Sequence, residues 1–129
     1  MTHELTVLAL DAFLQLAQIL LAAWSMNRDV GVEYNASPRD EPAQFSALTG
    51  RLRRAVDNHF EAMALFTVAV IVVTLSGAAG GFTAACAWIY LAARVVYVPA
   101  YAFGWSPWRS AIYAVGALAT VLMLLAALF

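Results

Sequence analysis

The chain contains no lysine and a single cysteine among its 129 residues. Charge of either sign is scarce. Asp, Glu, Lys and Arg make up 12% of the chain, against 64% for AVILMFWYC, about half the ordinary charged share. Each shortage excludes something. One cysteine, Cys86, rules out an internal disulfide. Set in the apolar run FTAACAWIY, it reads as a small buried hydrophobe. A formal net charge of −1 removes the basic surface a nucleic-acid partner needs. The opening MTHELT lacks the positive segment of a secretory signal, and the apolar run after it is long enough to span, so it is expected to be retained. A soluble domain of this size cannot hide so much apolar surface, and the expected solvent is a bilayer.

A spanning helix needs about 20 mostly apolar residues. Four segments qualify, at roughly 5–26, 54–76, 81–103 and 109–128, which predicts one four-helix membrane domain with an extramembrane loop over about 27–50. That loop is polar, carries Pro38 and Pro42, and lacks hydrophobic periodicity. The second connection, SGAAGG, is a tight turn, and the third, around GWSPW, is short. Pro107 suits the start of the last helix. All seven positive charges are arginine. Arg28, Arg39, Arg51, Arg53 and Arg54 flank or occupy the first loop, and Arg109 sits by the third connection. The excess of positive charge predicts that these two connections face the cytoplasm and both termini face out.

Polar residues inside the spans need an account. A helix turns about 100° per residue, so Arg51, Arg54, Asn58 and Glu61 fall within an arc of roughly 80° on the second span, with Arg53, Asp57 and His59 off that face. An ordinary snorkelling helix end would explain the arginines. It explains Glu61 poorly, because a carboxylate at that depth costs a few kcal/mol without a partner or a wet cavity. Arg94, Tyr97 and Tyr101 share a face of the third span. Arg94 lies in mid-span, where a lone arginine is a functional candidate by default, and Pro99 is expected to kink the helix. Arg109, Ser110 and Tyr113 open the fourth span, where interfacial anchoring is the plain alternative. On the first span, Asp11, Gln15 and Gln18 form a further stripe, placed toward the outer half, that is expected to make interhelical hydrogen bonds. Together the guanidiniums, hydroxyls, amide and carboxylate suit a small polar anion. Glutathione has that chemistry, though residue types alone do not single it out.

The pattern R-x-x-R-x-x-x-N-x-x-E, here Arg51, Arg54, Asn58 and Glu61, resembles the second span of the MAPEG superfamily, the membrane-associated proteins in eicosanoid and glutathione metabolism. Arg94, Tyr97 and Tyr101 are similar to the leukotriene synthase branch, and Arg109, Ser110 and Tyr113 to the prostaglandin synthase branch. Asp57, where some eukaryotic members carry a basic residue, and Ala64, where many carry proline, place the chain nearer the general, bacterial-type members. The resemblance implies an all-α integral membrane protein, a homotrimer of four-helix bundles in the bacterial inner membrane, binding glutathione between subunits at the cytoplasmic side. It implies that Arg51, Arg54, Asn58, Glu61, Arg94, Tyr97, Tyr101 and Tyr113 hold the tripeptide, with Arg28 as a looser addition. Arg109 would sit by the sulfur with Ser110 as helper. No metal site is implied. The implied partners are further copies of the chain, membrane lipid and a lipophilic small-molecule substrate. The implied activity is a glutathione transferase or peroxidase. The alternatives are a noncatalytic lipid-binding or scaffold member, and a small proton-coupled exporter using Asp11.

Overall fold

The computed structural model describes residues 1–40 and 44–129; residues 41–43, inside the expected loop, lie outside the described residues. Among the described residues every element is helical: α1 (His3–Val30), α2 (Val32–Ala36), α3 (Ala47–Leu75), α4 (Gly81–Ala102) and α5 (Trp108–Leu128). Helices α1, α3, α4 and α5 are each long and apolar enough to cross a membrane. At 1.5 Å per residue, α4 and α5 are about 30 Å long, matching the hydrocarbon thickness, and α1 and α3 exceed 40 Å. The excess lies where the two helices run past their apolar segments into the first connection. That connection therefore shortens to residues 31–46 and contains the one-turn α2.

Local chemistry sets the ends. The Thr2 hydroxyl accepts from Leu5 N at 3.3 Å and the Ser46 hydroxyl from Thr49 N at 3.2 Å, filling the orphan donors of α1 and α3. Gly31 ends α1 at φ 87° and Gly77 turns the chain after α3 at φ 75°, conformations that suit residues without a side chain. Thr83 closes the start of α4, accepting from Gly80 N at 2.9 Å and donating to Glu4 of α1 at 2.7 Å. Pro107 is the N-cap of α5 rather than a residue of its first turn. Helix α4 runs through Pro99 and ends three residues later.

The bundle has two unlike ends. One holds the amino terminus, the α3–α4 turn and the carboxyl terminus; we call it the turn end. The other holds the first and third connections; we call it the arginine end. The apolar core lies toward the turn end, where Val7, Phe66, Val70, Val73, Ala87 and Met123 are sealed from solvent. Toward the arginine end the apolar packing thins to a small cluster of Ala22, Leu52 and Ala102, and polar contacts take over. Phe13, Leu20, Leu65 and Leu118 stand on the outer surface with more than half their area exposed, as a lipid-solvated bundle requires.

The first-span stripe forms the polar heart of the bundle. Asp11 and His59 are fully buried, with His59 Nε2 2.7 Å from Asp11 Oδ1. The Tyr90 hydroxyl donates to Asp11 Oδ2 at 2.9 Å, and its ring stacks on Phe66 with centroids 3.9 Å apart. The Gln18 amide contacts His59 Nδ1, and Gln15 Nε2 donates to Val56 O at 3.2 Å. These partners lie around the middle of α3, so the stripe runs through the mid-bundle rather than keeping to the outer half. Three helices are thus tied by one buried network, which in a membrane substitutes for the hydrophobic force that lipid cannot supply between helices.

A polar cleft beside a lipid-like cavity

Helix α3 uses two faces. His59 points at α1, and Asn58, one residue away, points at α4. Arg94 Nη1 donates to Asn58 Oδ1 at 2.9 Å, and the Arg94 guanidinium lies over the Tyr97 ring at 4.3 Å. Tyr97 in turn packs against Tyr101 and Tyr113, with centroids 5.6 and 6.3 Å away. Arg109 lies over the Tyr101 ring at 4.8 Å, and Arg54 Nε donates to the Tyr101 hydroxyl at 3.2 Å. Arg51 Nε caps the end of α4 by donating to Ala102 O at 2.8 Å.

Asn58, Tyr97, Tyr101, Arg109, Ser110 and Tyr113 line one open cleft of about 300 Å³ at the arginine end. Arg54 reaches this cleft through Tyr101, and Arg94 through Asn58. Arg28 and Glu61 lie apart from it. Arg28 is exposed and stacks on Trp24 at 4.9 Å. Glu61 is exposed on α3 and lines none of the cavities named here. Of the residues singled out in the sequence, the chain therefore gathers those of α4 and α5 with Asn58 and Arg54, and leaves Arg28 and Glu61 facing outward.

A second cavity, of about 190 Å³, lies between α3, α4 and α5. Its walls are almost entirely apolar, with Ala62, Leu65, Gly116, Thr120 and Leu124 among them, and Tyr90, Arg94 and Tyr113 bring the polar groups. Tyr113 is common to both spaces, so a polar cleft and an apolar cavity meet at one aromatic wall. Gly116 faces α4, where a Cβ would meet Ala93 and Tyr90 at 3.7 Å, an ordinary packing distance.

The electrostatics are one-sided. No acidic residue follows Glu61 in the chain, so α4 and α5 offer Arg94 and Arg109 no carboxylate. Among the described residues, His59–Asp11 is the one ion-pair contact and involves no arginine. A guanidinium at mid-span costs about 3 kcal/mol or more to insert, and Arg94, 2% exposed, meets that cost with one hydrogen bond, from Nη1, and one ring contact. Its Nε and Nη2 have no partner. Asp11 is in the opposite condition. Both its oxygens are occupied and it lines neither cavity.

Two contributors escaped the reading of the sequence. Tyr90 lies four residues before Arg94 and so on the same helical face, and this spacing would have found it. His59 has no such signal, because its role comes from Asp11 on another helix. No group of three or more His, Cys, Asp or Glu suited to a metal occurs among the described residues.

Compared with known families, residues 5–129 match the model of the MAPEG family, which is nearly the whole chain. No curated protein and no solved structure matches it.

Proposed function

The chain belongs to the MAPEG family and is an integral membrane protein, and on that premise we propose that it is a glutathione-dependent transferase or peroxidase acting on a lipophilic electrophile or hydroperoxide. The observation that carries this reading is the cleft of hydroxyls and unpaired guanidiniums lying against an apolar cavity. A tripeptide with two carboxylates and an oily co-substrate need that combination side by side.

The residues present fit glutathione. Arg54 and Arg109 offer forked donors for carboxylates, Asn58 and the hydroxyls of Tyr97, Tyr101 and Tyr113 serve amides and the amine, and Arg94 holds Asn58 in place. Arg51 steadies the end of α4 that carries Tyr101. Bound glutathione would supply the sulfur nucleophile. The chain's part is to favour the thiolate: Arg109, fixed over Tyr101, places a positive charge beside the sulfur, and Ser110 adds a hydroxyl donor to the same cleft. Closure by a neighbouring helix would exclude water and hold the two reactants together. In a homotrimer the outward-facing Arg28 and Glu61 are available to a neighbouring copy's cleft. The arginine bias supports a cleft on the cytoplasmic side, and the resemblance to bacterial-type members supports a bacterial inner membrane as the setting.

Calorimetry of glutathione into the protein in nanodiscs, followed by assay of conjugation and of hydroperoxide reduction, tests the proposal. Saturable binding with turnover is expected. Absence of both would end it. Binding without turnover would favour a noncatalytic member of the family, a reading supported by the apolar cavity alone.

A further inference from the structure

A third cavity, of about 280 Å³, opens at the arginine end between α1, α2 and α3. It shares no lining residue with the cleft or with the apolar cavity. Its floor is apolar, with Ile19, Ala22, Met26 and Val56. Its polar groups carry both signs of charge: Arg39 and Arg53, then Asp57 and the Asn35 amide. Arg39 is held in place by Asn35 O, which accepts from its Nε at 3.0 Å and its Nη2 at 2.7 Å, and this leaves Nη1 for another acceptor. Arg53 lies over the Phe45 ring at 5.2 Å. Among the described residues, neither arginine forms an ion pair with Asp57 or with any other carboxylate. The Asn35 amide donates to Asn27 Oδ1 at 2.6 Å, while its own Oδ1, a buried atom, has no partner among the described residues. Two cations here lack an anion, and a carboxylate and an amide oxygen lack a donor.

We propose that this groove between α1, α2 and α3 binds one phosphatidylethanolamine molecule of the surrounding bilayer, with its phosphate between Arg39 and Arg53 and its ammonium on Asp57 and Asn35 Oδ1. The charges match in sign and spacing. Arg53 and Asp57 are one turn apart on α3, about 6 Å along the axis, and the phosphate and ammonium of this headgroup are joined by two carbons. An ammonium brings a positive charge and three N–H donors together. The choline headgroup brings the charge without the donors, and the glycerol headgroup brings hydroxyl donors without the charge. The depth matches as well. Asp57 precedes the uncharged part of α3, which begins at Ala62, so the groove lies at the edge of the apolar layer, where headgroups lie. Beyond it, one turn deeper on α1 and α3, Leu16 and Phe60 are half exposed and offer a path for the acyl chains. The site stands without the glutathione reading, and occupancy stabilises the joint between α1, α2 and α3 by mass action.

The test is native mass spectrometry of the full chain in detergent, titrated with phosphatidylethanolamine, phosphatidylglycerol or phosphatidylcholine of identical acyl chains. One tightly retained phosphatidylethanolamine per chain is expected, bound about tenfold more tightly than either of the others, the worth of a charge-assisted hydrogen bond. Two exposed substitutions separate the halves of the headgroup. Arg53→Gln should weaken phosphatidylethanolamine and phosphatidylglycerol alike, by about tenfold. Asp57→Asn should weaken phosphatidylethanolamine about tenfold and leave phosphatidylglycerol unchanged or tighter. Thermal unfolding in lipid-free detergent, expected to match the wild type for both variants, guards against misfolding. Equal retention of the three lipids would show a nonspecific annular contact and overturn the proposal. Tighter retention of phosphatidylglycerol by the wild type would show a site for net negative charge and overturn it too. Asp57→Asn binding phosphatidylethanolamine like the wild type would remove the ammonium contact and with it the proposal. Soluble glycerophosphoethanolamine at equal concentration should not displace the lipid. Displacement would assign the groove to a free headgroup and overturn the proposal.

Discussion

Removal of the Asp11 carboxylate should unfasten α1 from two helices at once. In Asp11→Ala, His59 Nε2 and the Tyr90 hydroxyl lose acceptors now 2.7 and 2.9 Å away. Both donors are sealed from solvent, so water cannot replace the lost partner. An interhelical hydrogen bond in a membrane is worth about 0.6 kcal/mol on average and up to about 1.7, so the two together contribute about 1–3 kcal/mol. Stranding a buried donor costs about 1–3 kcal/mol in its own right, and part of that is the same energy. Against this, the variant no longer buries a carboxylate, which returns some desolvation energy. The net expectation is a loss of about 2–4 kcal/mol. For a domain of this length, each kcal/mol moves the midpoint by about 3–5 °C, which gives a drop of roughly 6–20 °C in thermal unfolding followed by circular dichroism in detergent. Asp11→Asn keeps one acceptor and turns its amide NH2 toward the other donor, so it should fall about halfway between. The reasoning fails if Asp11→Ala melts with the wild type, or if the asparagine variant is the worse of the two.

Three further outcomes follow from other contacts. Thr83→Val takes from the buried Glu4 its hydrogen bond at 2.7 Å and should cost about 1–3 kcal/mol, read by the same melting experiment. Asp29→Ala removes three hydrogen bonds onto the start of α3, from Ser46 N, the Ser46 hydroxyl and the Thr49 hydroxyl. Because this end is exposed, the loss should stay near 1 kcal/mol and appear as faster amide exchange confined to the first turn of α3. Asn58→Ala strands Arg94 Nη1 and should lower glutathione affinity about tenfold, a charged hydrogen bond's worth, while Asn58→Asp retains the acceptor and much of the affinity.

Composition and apolar run length were enough to find the four membrane-crossing helices, because a bilayer imposes one length on each of them. They were not enough to find where α1 and α3 stop. The residues past the apolar segments, Asn27 to Val30 and Ala47 to Arg53, are polar enough for water yet still helical, and hydropathy cannot see a helix continuing outside its membrane. Helical spacing grouped Arg94, Tyr97 and Tyr101 on a shared face; the two tyrosines line the cleft, and Arg94 reaches it through Asn58. Spacing within one helix says nothing of which neighbour a face meets. Hence His59, set aside as lying off the arginine face, emerged as the partner of Asp11, and Glu61, grouped with Asn58 by angle, faces outward. The apolar cavity was invisible for another reason: Gly116, Ala117 and Thr120 are ordinary residues of a membrane helix, and only the gap they leave beside Arg94 gives them a role.

The central claim is that a fixed guanidinium in the cleft turns a bound thiol into a thiolate, and ultraviolet difference titration of the reconstituted protein with glutathione at neutral pH measures that directly. The account predicts a thiolate absorbance that saturates with glutathione and is lost in Arg109→Gln while Asp11→Asn retains it. Glutathione binding with no thiolate band in the wild type, or a band undiminished in Arg109→Gln, would contradict it.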